Sequence, residues 1–296
     1  MAKIAAELER ALRRRALNGT AGATSARRVA HGPGWTVSDI VCTSGPQDHP
    51  FEERHSGYSI AVVVCGTFQY QGAVGCKAGR ELMTPGSLLL GNAGHAFQCG
   101  HEHGHGDRCI SFGYSPEYFE RLAADAGLRG RVGFRALRLP PLRSLAPLVS
   151  RAEAGIAGSD VDWEELSLHF AGQALYLAND LPERQQASDF AAEARVTKVV
   201  RKIECRTNHR LSLRSLAQDA RLSPYHFLRV FEHLTGLTPH QYVLRARLRE
   251  AALRLLSSKR KVLDVALDCG FGDLSNFNRA FRAEFGMSPL KYRKAA

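Results

Sequence analysis

The sequence predicts an α+β chain, with an antiparallel β-barrel and flanking helices in front and an all-α region holding two helix-turn-helix units behind. Three observations predict it. One short helical pattern is written twice, as "LSPYHFLRVFEHLTGLTP" from Leu222 to Pro239 and as "GFGDLSNFNRAFRAEFGMSP" from Gly270 to Pro289. Residues from about 35 to 115 carry β-branched and aromatic runs separated by glycines, the texture of short strands. Charge divides the chain at the same place: residues 190–296 hold 21 Lys and Arg against 9 Asp and Glu, whereas residues 1–189 hold 19 against 20. A basic half joined to a neutral half points to a polyanionic partner for one part and a different task for the other.

The first 34 residues read as an N-terminal extension. In "MAKIAAELERALRRRALNGT", Glu7, Glu9 and Arg13 to Arg15 interrupt the apolar positions, so a surface helix or a frayed end is expected rather than a secretory signal. No run of about 18 apolar residues occurs, which excludes an apolar membrane helix and leaves no membrane partner expected. The seven cysteines are scattered and form no CxxC pair, so a reducing cytoplasm is expected and a disulfide framework is not.

The strands follow. "YSIAVVVCGTFQYQG" is β-branched and aromatic, "TPGSLLLGNAGHAFQCG" gives a turn, a strand, a Gly-rich turn and another strand, and "DRCISFGYS" gives one more. From Pro116 the pattern turns helical, in "SPEYFERLAADAGL", "PLRSLAPLVSRAEAGI" and "DWEELSLHFAGQALYLAND". Leu166, Phe170, Leu175 and Leu177 of the last stretch either pack on the barrel or serve an interface between subunits. The polar "LPERQQASD", residues 181–189, reads as a linker.

The repeat is in register. Phe227 and Phe277, Arg229 and Arg279, Phe231 and Phe281, Gly236 and Gly286, Pro239 and Pro289, and Tyr242 and Tyr292 are each 50 residues apart. Upstream, Leu213, Leu216, Ala217 and Ala220 match Val262, Val265, Ala266 and Cys269 at 49. The change of one residue falls between the two helices of each unit, where a turn absorbs it. Ser212, Ser223 and Asp273 are expected to cap helices, Pro224 to open one, and Gly236, Gly270 and Gly286 to end them. The stretch Tyr242 to Leu256 reads as a long helix joining the units.

A short apolar helix that supports a second, steeply crossing helix presents the polar N-terminal face of the second to the DNA major groove. In the first unit that face offers Tyr225, His226, Leu228, Arg229 and His233, and in the second Ser275, Asn276, Asn278, Arg279 and Arg282. Arg and Asn suit bidentate reading of guanine and adenine edges. Such a motif can also serve packing alone, but two copies in register on a basic segment favour double-stranded DNA as the partner. Adjacent major grooves on one face of the duplex lie about 34 Å apart, a spacing the joining helix would set.

These residues resemble the DNA-binding domain of the AraC/XylS family of bacterial transcription regulators. The resemblance rests on "SLAQDARLSPYHFLRVFEHLTGLTPHQYVLRARLREAALRLL" and "VLDVALDCGFGDLSNFNRAFRAEFGMSPLKYR". It implies seven helices in residues 190–296, base contacts from Tyr225, Leu228, Arg229, Leu274, Ser275, Asn276, Asn278 and Arg279, and no catalytic residues. Leu228 and Leu274 are apolar where some relatives carry polar readers. The strand order, chiefly "PGSLLLGNAGH" from Pro85 to His95, resembles the cupin-like sensor domain joined to such readers. The resemblance therefore implies a sensor and dimerisation region over residues 35–185, a homodimer, a small-molecule or metal effector, and contact with RNA polymerase. It fits an activator, although the sequence leaves the sign of regulation open.

"CGHEHGHGDRC" stands apart. In a strand, Cys99, His101, His103 and His105 would share one face, and a thiolate with imidazoles suits zinc or another late transition metal in the front domain. The glycines at 100, 104 and 106 favour a solvated loop instead. A metal-dependent cupin enzyme fused to a DNA reader is the alternative function, but the His/Glu ligand set it requires is incomplete. A cysteine-alkylating repair protein would need a clustered-cysteine zinc site that the front half lacks.

Overall fold

The apolar run from Tyr58 to Gly66 is longer than a one-faced strand requires, and its surroundings explain why. The computed structural model describes residues 2–50, 52–75, 77–125, 132–180, 190–209 and 211–294. Within them, helix α1 (Ala2–Asn18) precedes strands β1 (Thr24–Gly32), β2 (Trp35–Cys42), β3 (Glu52–Arg54), β4 (Tyr58–Gly66), β5 (Phe68–Val74), β6 (Lys77–Met83), β7 (Leu88–Gly91), β8 (Ala96–Gly100), β9 (Asp107–Tyr114) and β10 (Arg138–Leu139). They form two antiparallel sheets, one ordered β1-β2-β9-β4-β7-β10 and the other β3-β8-β5-β6. Helices α2 (Pro116–Asp125), α3 (Ala146–Ile156) and α4 (Trp163–Asp180) follow.

β4 is buried on both faces. Ala61 and Val63 join Phe68, Tyr70 and Met83 of the second sheet in the core between the sheets. Tyr58, Ile60 and Val62 are buried on the opposite face. There Tyr58 stacks on Phe119 of α2 at 4.3 Å, and Phe112 of β9 meets Phe170 of α4 at 4.5 Å. Leu166, Phe170 and Leu175 of α4 are buried, so this face of the helix packs within the sheet unit.

β1 lies ahead of the region whose sequence texture reads as strand. It is an edge strand with mostly exposed residues, so it carries none of the apolar alternation that marks the others. Segment 181–189, expected as a linker, lies outside the described residues.

The described residues fall into two units, one holding the sheets with α2 and α4, the other holding α3 and the helices from Phe190 onward. The second comprises, besides α3, α5 (Phe190–Cys205), α6 (Leu213–Asp219), α7 (Pro224–Thr235), α8 (Pro239–Ser257), α9 (Val262–Asp268), α10 (Leu274–Phe285) and α11 (Pro289–Lys294). α3 belongs here by packing: Ala146 at its start enters the core of Leu248, Ala251, Leu255, Phe281 and Phe285.

The sequence repeat is also a packing repeat. Phe227 and Phe231 lie 5.3 Å apart at 55°, and Phe277 and Phe281 lie 5.4 Å apart at 55°. Phe231 meets Tyr242 edge-on at 5.6 Å, as Phe281 meets Tyr292 at 5.3 Å. Each wedge holds the second helix of its unit on the helix after it.

Candidate nucleic-acid interface

The two helix-turn-helix units are α6–α7 and α9–α10. Ser212 caps α6 through a capping box with Ser215, Ser223 accepts the His226 amide at the start of α7, and Asp273 accepts the Asn276 amide at 2.7 Å at the start of α10. Both second helices end on a left-handed glycine, Gly236 at φ 78° and Gly286 at φ 73°. Cap to cap, α7 and α10 are twelve-residue helices of the same design.

Their outer faces match position by position. Tyr225, His226 and Arg229 occupy the second, third and sixth helical places of α7, and Ser275, Asn276 and Arg279 the same places of α10. All six are exposed, as are His233 and Arg282. Leu228, Leu274 and Asn278 lie at the margin of that face, and all three are half-buried. The Arg229 guanidinium lies 6.0 Å from the centre of the Tyr225 ring, and Arg279 donates to Asn276 Oδ1 at 3.2 Å. Each arginine thus meets a neighbour on its own helix and remains exposed.

Not all the basic charge is available to a ligand. On α8, Arg249 is buried against Glu204 at 2.7 Å, Arg245 pairs with Glu284 at 3.3 Å, and Arg247 donates to the carbonyls of Thr207 and His209. Arg254 and Arg260 both reach Asp268. The long helix therefore uses these arginines inside the unit, whereas Arg229 of α7 and Arg279 and Arg282 of α10 are exposed.

A family model described as a helix-turn-helix domain matches residues 216–295. The probable transcriptional regulator LumQ of Photobacterium leiognathi is 41% identical over 92 residues, 31% of this chain and 37% of its own length. The probable transcription factor PqrA of Proteus vulgaris is 33% identical over 87 residues, which cover 29% of this chain and 71% of PqrA. The chain belongs to the AraC/XylS family of transcription regulators. Among solved structures, the DNA-binding domain of AdpA in complex with a target DNA is 32% identical, covering 34% of this chain and 90% of that one, at a TM-score of 0.33. The match spans about a third of the length of the first curated relatives. No described helix of this AraC/XylS-family chain is long and apolar enough to cross a membrane.

The sheet unit of this family member holds a half-open cavity of about 670 Å³ lined by Trp35, Ile40, Phe68 and Phe97 among apolar groups, and by His55 and His101 among polar ones. His55 stacks on Phe97 at 4.1 Å and shares a 2.9 Å hydrogen bond with the Tyr70 hydroxyl. Burial, helped by the charge of His95, lowers its pKa to about 4, so it is neutral at pH 7.

Cys99, His101, His103 and His105 do not converge on one face. β8 ends at Gly100, so Cys99 lies on a strand and the three histidines on the turn behind it. Gly106, at φ +64°, closes that turn. A Cβ there would meet the Cys42 carbonyl oxygen at 2.8 Å and Leu8 of α1 at 2.9 Å, so the turn is drawn tightly against β2. His105 is exposed, His103 half-buried, and His101 buried toward the cavity.

His101 Nε2 meets Asp107 Oδ1 at 2.6 Å, and its imidazole also hydrogen-bonds the Cys42 thiol. Burial opposes the charged imidazole, but the bonds to Asp107 and Cys42 outweigh it and hold the pKa up at about 9. Burial likewise opposes a Cys42 thiolate, but the hydrogen bond and charge of His101, with a bond from Ser44, together lower the thiol's pKa. Sequence reasoning found His101 but missed Cys42 and Asp107. Their only signal is the pairing of β2 with β9, which sets Cys42 opposite Asp107.

Proposed function

We propose that this chain is a sequence-specific transcription regulator that sets α7 and α10 into successive major grooves of one DNA duplex. The observation that carries this reading is the pair of matched helices, each presenting an exposed arginine at its sixth place on a segment with 21 basic and 9 acidic residues. Arg229 and Arg279 read base edges, helped by Tyr225, His226, Ser275, Asn276 and Asn278, with Arg282 and His233 nearer the phosphates. Leu228 makes at most apolar contact at the rim of the groove. The sheet unit is a cupin-like sensor whose cavity takes the effector. The protein acts in the cytoplasm as a homodimer, with RNA polymerase as a further contact on bound promoters.

The test is selection of binding sites from random duplexes by the full chain, followed by affinity measurements at fixed salt. Arg229→Ala and Arg279→Ala should each cost about 1–3 kcal/mol on the selected site and relax preference at separate base positions about one helical turn apart. Affinity should fall steeply as salt rises. Wild-type affinity and preference in both variants would refute the assignment.

A further inference from the structure

Buried in the sheet unit is a set of three different donor side chains. We infer that Cys42, His101 and Asp107 form a binding site for a soft divalent cation of the zinc class. This goes beyond the DNA-reading proposal and does not depend on it.

The three come from separate elements: Cys42 ends β2, His101 follows β8, and Asp107 opens β9. β2 and β9 pair with Cys42 directly opposite Asp107, which puts both side chains on the same face of the sheet. The turn between β8 and β9 carries His101 onto that face. It is pinned there by the Gly106 amide, which donates to the Ser44 carbonyl at 2.8 Å, and by the absence of room for a Cβ at Gly106.

One ligating atom from each residue lies within 4.8 Å of the other two. Donors on a tetrahedral ion at bond lengths of about 2.0–2.3 Å lie about 3.3–3.8 Å from each other. Small side-chain adjustments therefore bring the set to bonding geometry. Thiolate, imidazole and carboxylate together suit zinc, whereas calcium and magnesium prefer oxygen alone.

The surroundings fit a bound ion. All three residues are at most 8% exposed, so water gives them little help in carrying charge. Cys109 Sγ donates to Asp107 Oδ2 at 3.2 Å, and Ser44 hydrogen-bonds Cys42, contacts that orient ligands from behind. Cys42, His101 and Asp107 all line the cavity. With three protein ligands, the fourth position faces that space, where water or an anionic oxygen or sulfur of a small ligand completes the coordination.

The experiment uses the full chain, purified without a histidine tag and stripped with a chelator. Cobalt(II) is the probe, because thiolate ligation gives an intense near-ultraviolet band and tetrahedral geometry gives visible bands that octahedral sites lack. We expect one cobalt per chain with both features, displaced by zinc, with release of protons on binding. Cys42→Ser should abolish the thiolate band and Asp107→Asn should weaken binding at least tenfold, whereas His105→Ala should bind as wild type. Because these variants can lose stability, alkylation of the wild-type thiols is followed as well. Zinc should slow modification of Cys42 at least tenfold while leaving exposed Cys205 unchanged. Octahedral cobalt without a thiolate band, a thiolate band that survives Cys42→Ser, or equal alkylation of Cys42 with and without zinc would overturn the inference.

Discussion

Glu153 on α3 is 1% exposed and lies in the field of Arg249, Glu204 and Glu250. Burial raises its pKa to about 7, with Arg249 opposing the rise and the two glutamates adding to it. Between about pH 4.5 and 7 the folded chain keeps a proton that the unfolded chain has released. Unfolding then loses protons, so stability falls as pH rises through that window and levels off above it. Glu153→Gln mimics the protonated form. It should match wild type near pH 5, exceed it at pH 8 by on the order of 1–3 kcal/mol, and flatten the slope between them. Urea unfolding at the two pH values measures this, and parallel slopes in both proteins would refute it. Among single residues, those that cap and read were legible because their meaning is local. Arg229 and Arg279 declare themselves by repeated position, whereas Arg249 looks equally basic in sequence and is spent against Glu204 inside the fold.

At the scale of elements, the helices of the repeat were readable almost to the residue. Ser223, Asp273, Gly236 and Gly286 act on backbone groups within one turn, so their signals survive without tertiary context. Asp273→Ala should therefore cost about 1 kcal/mol and lower the melting temperature of the helical unit by about 4 °C. Asp273→Ser, which keeps a cap oxygen, should recover most of the loss. Calorimetry of the full chain decides, and equal melting of the alanine, serine and wild-type proteins would show that the cap contributes nothing. β1 was not readable, because an exposed edge strand is defined by its hydrogen bonds to β2 rather than by an apolar pattern. The histidine turn was readable only as two alternatives, strand face or loop. The choice was made by Gly106, whose contacts are with Leu8 and Cys42.

For the whole molecule, the proposed homodimer would double the number of grooves engaged without changing any single contact. α4 offers a surface for it. Leu168 is 38% exposed and Tyr176 65%, and a Cβ added at Gly172 between them would meet nothing within 4 Å, so the three form one open stripe at helical spacing. Sedimentation of the 32.5 kDa chain should give twice that mass at micromolar concentration, and Leu168→Asp should return it to monomer with weaker binding to paired half-sites. A wild-type monomer under those conditions would remove α4 as an interface. The helix-turn-helix repeat, its caps and the basic character of the back half follow from the order of residues alone. Helical periodicity and capping act over three or four residues, and charge simply adds along the chain. Packing in three dimensions settles which arginines remain outside, that α3 packs with the helical unit, and that Cys42 and Asp107 rather than Cys99 and His105 accompany His101. Those outcomes depend on strand register and on helix faces meeting across long sequence separations, which no local pattern encodes.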